Sequence, residues 1–159
     1  MKFPAVLVVS LVALSAPAPV AQSDPFVGTW VLNVAKSKYT PGQPPRSQTV
    51  VYEAAGRGYK VTSKIVGADG TPATITFTVT EEGKDVPVTG SPDYETTSLK
   101  RIDAHSIAFT RKRGGKVVQT ATSVLSHDGR TRTITTTGVN ARGEKINNVA
   151  VFDKTSTTS

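Results

Sequence analysis

The chain has 159 residues, a net charge of +7 from 19 Lys and Arg against 12 Asp and Glu, and no cysteine. That length supports a single hydrophobic core, and without thiols neither a disulfide nor a lipid-bearing cysteine is available to hold or anchor it. The positive balance favours solubility and weak attraction to anionic surfaces, and is not by itself a nucleic-acid signature.

The first segment runs Met1, Lys2 and then "FPAVLVVSLVALSAPAPVA". One positive charge, an apolar centre and a small-residue end have the layout of a secretory signal peptide, predicted over residues 1–21 with cleavage after Ala21. The apolar run is too short, and too soon broken by Pro17 and Pro19, to span a bilayer as a mature helix. The expected product is a periplasmic or secreted protein of about 138 residues that begins at Gln22 and has no membrane span.

From Gln22 onward no stretch keeps a helical period. The segment "ATITFTVT" alternates instead, with Ala73, Ile75, Phe77 and Val79 on one face and Thr74, Thr76, Thr78 and Thr80 on the other. Thr and Val recur throughout, and both are β-branched residues that suit a pleated surface. Turn signals such as "GRG", "ADG", "EEGK", "RGGK", "HDGR" and "ARGE" cut the chain at short intervals. They predict strands at 28–34, 48–55, 59–66, 73–80, 84–88, 95–102, 106–113, 116–126, 130–138 and 145–153. Neighbours joined by such turns pair antiparallel. The fold class expected is all-β: one domain over 22–154, an up-and-down meander of about ten strands that curls and closes into a barrel. The stretch "SKYTPGQPPRS", with three prolines, is excluded from a central strand or a stable helix. It crosses one end of the barrel as a lid or floor, or else is a plain connector. The tail at 155–159 is expected to be disordered.

The only tryptophan lies in "GTWVLN", at the start of the first strand. A closed barrel needs a plug at its bottom, and Trp30 facing inward supplies one, with Leu32 and Val34 on the same face and Gly28 letting the chain pass close by. Truncating a core Trp to Ala typically costs about 3–5 kcal/mol. "GTWVLN" at the head of such a chain resembles the G-x-W signature of the calycins, which include lipocalins and fatty-acid-binding proteins. The strand count is more similar to the ten-stranded fatty-acid-binding barrel than to the eight-stranded lipocalin. The wider pattern "GTWVLNVAKSKY…PG…P", "PVTGSPDY…SLKRID" and "DGRTRTITTTGVNARGEKINNVAVFDK" is similar to a set of small secreted bacterial proteins with no assigned function. The resemblance implies a calycin-like barrel that binds or carries a small, largely apolar ligand. In fatty-acid-binding proteins an Arg and a Tyr on the last strand hold the ligand carboxylate. The matching segment here is "VAVFDK", where Ala150 stands for the Arg and Phe152 for the Tyr. By that correspondence the carboxylate clamp is missing, and an uncharged apolar ligand, or none, is expected.

Candidate chemistry is sparse. Ser126, His127 and Asp128 are consecutive, so their side chains diverge and form no nucleophile–base relay. His105 falls at another hairpin tip, and two isolated histidines without thiols do not make a transition-metal site. Most carboxylates sit at turns. Neither catalysis nor a cofactor is expected. Arg111, Lys112, Arg113 and Lys116 gather at one hairpin, where a solvated edge guard is the simpler reading than a polymer-binding patch. Aromatic stacking partners are nearly absent there, which argues against single-stranded nucleic acid. Arg101 alternates in phase with Leu99, and Arg132 with Ile134, so either enters the barrel to hold a polar ligand end or points outward. Tyr94, in "PVTGSPDYE", faces a ligand or covers the rim. The candidate ligand-contacting set is therefore Tyr94, Arg101, Arg132 and Phe152, with Gly28 and Trp30 as the structural plug, in a protein expected to be a monomer. The rival reading is an envelope or secreted module that binds a polymer or protein, an inhibitor among them, with no ligand cavity.

Overall fold

A computed structural model describes residues 16–18 and 23–156, so nearly all of the leader expected over 1–21 lies outside the described residues. Ten strands follow one another: β1 (Gly28–Leu32), β2 (Ser47–Ala55), β3 (Gly58–Val66), β4 (Pro72–Val79), β5 (Val86–Pro87), β6 (Thr96–Asp103), β7 (Ser106–Arg113), β8 (Lys116–Leu125), β9 (Thr131–Val139) and β10 (Lys145–Lys154). They form one antiparallel sheet in the order β4-β3-β2-β1-β10-β9-β8-β7-β6-β5. The first strand thus lies between the second and the last, with Trp30 opposite Val50 on one side and Lys154 on the other.

The ends of this sheet come round to meet. Thr76 of β4 and Thr89, just after β5, exchange two backbone hydrogen bonds of 2.9 and 3.0 Å, which nearly closes a barrel. Gly90 makes that approach possible. It has φ +86°, and a Cβ there would run into the Thr74 carbonyl.

Strand after strand obeys the period of two. On β8, Gln119, Ala121, Ser123 and Leu125 are buried while Thr120, Thr122 and Val124 are exposed. The core joins inward side chains of every long strand, among them Trp30, Val50, Tyr52, Val61, Val79, Leu99, Ile107, Phe109 and Phe152. Two expectations need correction. Val34 is 41% exposed and does not follow Trp30 and Leu32 inward. The strand stops at Leu32 because Asn33 caps a 3₁₀ turn over Val34–Lys36, its side chain accepting from the Lys36 N–H. The strand expected at 84–88 shrinks to Val86–Pro87, although Val88 still donates its N–H to the Glu95 carbonyl (2.8 Å). At the other terminus Thr155 still donates its N–H to the Thr29 carbonyl (2.9 Å), so pairing runs one residue into the expected tail.

Candidate ligand cavity

One end of the barrel is sealed by the chain's own approach to β1. Phe26, fully buried, enters ahead of the strand, and its carbonyl accepts the Trp30 indole N–H at 2.9 Å. Lys154 Nζ lies 5.1 Å from the Trp30 ring centroid and donates to the Pro25 carbonyl at 2.9 Å. It passes so close to Gly28 (φ +134°) that a Cβ there would sit 2.8 Å from Lys154 Cε. Burial holds the Lys154 ammonium pKa below its ordinary value, against the pull of Asp24.

Two of the expected ligand residues belong to this sealed end. Arg132 is 1% exposed, donates to Ser123 Oγ and the Tyr52 hydroxyl, and has its guanidinium carbon 4.0 Å from the Tyr52 ring centroid. The Phe26 and Trp30 rings lie 5.6 and 5.8 Å from it. This cation is thus held by aromatic faces and neutral oxygens, with no carboxylate within ion-pair distance among the described residues. Arg101 donates to Asp24 Oδ2 (2.8 Å) and to the Tyr59 hydroxyl, which itself donates to Asp24 Oδ2 at 2.6 Å. Burial first, and the Asp24 carboxylate second, push the Tyr59 phenol pKa well above its ordinary 10.0. Both arginines face inward, as their phase with Leu99 and Ile134 allowed. Both are occupied in closing the floor.

The opposite end holds a cavity of about 390 Å³. Ile65, Ile75, Ile134, Ala150 and Phe152 give it apolar walls, and Tyr39 and Pro45 bring the proline-rich segment to its mouth. A smaller chamber of about 80 Å³ deeper in the barrel shares Gln48, Ile75, Tyr94, Arg111, Ile134 and Phe152 with it. Of the four residues expected to touch a ligand, Tyr94 and Phe152 line this space and Arg101 and Arg132 do not. Ala150 and Phe152, which stand for the Arg and Tyr of the fatty-acid clamp, both line it. A wider surface hollow at Gly56, Arg57, Thr80, Glu81 and Glu82 has no aliphatic or aromatic wall.

The cavity's cation is Arg111, grouped by sequence with the charged hairpin. Its register partners are Thr97 and Gln119, and it follows Ile107 and Phe109 on the inner face of β7. That phase was readable, but the surrounding run of Lys and Arg masked it. Arg111 Nη1 donates to Gln119 Oε1 (3.1 Å), Gln119 Nε2 donates to the Val139 carbonyl (3.1 Å), and the guanidinium lies 4.7 Å from the Tyr94 ring centroid. Tyr39 packs close enough to feel the same charge. Burial raises its phenol pKa and Arg111 partly offsets the rise. The rest of the hairpin disperses: Lys112 pairs with Asp85 at 2.7 Å, and Arg113 donates to the Pro92 carbonyl.

At the sealed end, Ser126 Oγ donates directly to Asp128 Oδ1 (2.6 Å) while His127 stacks against His105 with centroids 6.4 Å apart, so no base is placed on the hydroxyl. Among the described residues no group of three or more His, Asp or Glu is positioned to hold a metal ion. No helix there is long and apolar enough to cross a membrane. No protein-family model matches the chain, and no curated protein matches it.

Proposed function

We propose that the protein is an exported carrier that holds one small, largely apolar molecule in the open end of its barrel. The observation that carries this reading is the cavity of about 390 Å³, with aliphatic and aromatic walls, at the end opposite the Trp30 floor. Its size and lining fall in the range of small-molecule sites, where apolar burial gives affinity and a few polar groups give orientation. The mechanism is sequestration, with the ligand's apolar surface removed from water and no bond made or broken. The leader supports export, and the packed, hydrogen-bonded floor supports a pocket present before binding.

A neutral fluorescent arene, N-phenyl-1-naphthylamine, tests it. One saturable site is expected, competed by small neutral aromatic compounds and lost in Ala150→Trp, which fills the cavity from β10. Saturable binding untouched by that substitution would put the site elsewhere. No saturable binding by the folded protein would overturn the carrier reading in favour of a polymer- or protein-binding module.

A further inference from the structure

We propose that the cavity's ligand is a monoanion, an aryl or short alkyl carboxylate or its sulfonate equivalent, anchored by Arg111; this rests on the carrier reading above. Three arginines enter the barrel, and their surroundings differ. Arg101 meets the Asp24 carboxylate, and Arg132 is sealed among Tyr52, Trp30, Phe26 and Ser123. Arg111 lines both the cavity and the inner chamber. Among the described residues it has one hydrogen-bond acceptor, Gln119 Oε1, and no carboxylate within 4.0 Å. A guanidinium carries five N–H donors, so four are unused by the described residues.

The charge is also held in place. Gln119, 3% exposed, is fixed by the Val139 carbonyl and turns its oxygen to Arg111, while the Tyr94 ring supports the guanidinium face. A fork so preorganised suits a planar carboxylate better than a mobile ammonium would. Across the ladder from Arg111, the buried Thr97 hydroxyl is the one fully buried side-chain polar atom among the described residues without a partner. That hydroxyl lines neither the cavity nor the inner chamber, so it plays no part in holding the anion.

The walls limit the anion. Asp69 and Asp93 also line the cavity, Asp69 accepting the Thr71 N–H of its own loop (2.8 Å) and Asp93 the Ala141 N–H of the β9–β10 turn (2.8 Å). Two carboxylates in the lining repel any anion, a dianion about twice as strongly as a monoanion, so the charged group is confined to Arg111, and about 390 Å³ suits a compact body over a long extended chain. The missing clamp at Ala150 and Phe152 is thus replaced by a cation on a different strand.

The test compares two probes with nearly the same arene: 8-anilinonaphthalene-1-sulfonate, an anion, and N-phenyl-1-naphthylamine, which is neutral. Both are titrated into the full chain and into Arg111→Gln and Arg111→Lys. The expected result is a loss of about tenfold or more for the sulfonate in Arg111→Gln, partial recovery in Arg111→Lys, and little change for the amine. Equal losses for both probes would mean that Arg111 only shapes the cavity. An unchanged sulfonate affinity with intact amine binding would overturn the anion anchor and leave the carrier reading standing. Failure of the wild-type protein to bind either probe saturably would overturn both.

Discussion

Tyr59 shows how one residue can tie the floor of the barrel together. It comes from β3, yet its hydroxyl meets Asp24 from ahead of β1 and Arg101 from β6. The folded phenol keeps its proton above the ordinary pKa, whereas an unfolded tyrosine ionises near 10. A raised folded pKa gives stability that is complete below about pH 10 and is lost as the pH climbs toward the folded value. The urea midpoint is therefore expected to fall above about pH 10, and Tyr59→Phe should make that fall shallower while lowering the midpoint at neutral pH. An alkaline slope unchanged by the substitution would show that the tyrosine is not the linked group. Tyr39, also raised, keeps the slope from vanishing altogether. None of this network was legible from periodicity, because Asp24 and Phe26 lie outside any alternating segment. Arg132 and Tyr52, 80 residues apart, meet only when the sheet curls.

The strands themselves were legible for a simple reason. Most turns carry Gly or Asp-Gly, the Ala104-His105 turn between β6 and β7 excepted, and the runs between turns alternate with period two, so element type and antiparallel order follow locally. Legibility failed where a local competitor overrode the pattern. Asn33 captured the backbone for a 3₁₀ turn and sent Val34 outward, and the charge of "TRKRGGK" hid the inward phase of Arg111. The closure of the barrel sits at the same scale, in the two hydrogen bonds between Thr76 and Thr89 beside Gly90. Gly90→Ala is expected to cost about 1–3 kcal/mol, from the positive φ and the collision with the Thr74 carbonyl. Amide hydrogen exchange should speed up first at Thr76 and Thr89. Faster exchange confined to the sealed end instead would place the weak seam elsewhere.

At the scale of the whole molecule, the barrel has a filled end and an end that keeps a cavity. The floor spends its aromatic rings and two of its arginines on closure, in a chain with no disulfide to help. The other end keeps an apolar-walled space, a proline-rich segment at its mouth and one cation with unused donors. That division is compatible with the carrier function proposed above. Native mass spectrometry of the protein purified from its own source tests that claim most directly. The expected result is a mature chain beginning near Gln22 that carries one small molecule, released on denaturation and absent from Ala150→Trp. A folded wild-type chain that never carries an adduct, and takes up none from added aryl carboxylates or neutral arenes, would contradict it.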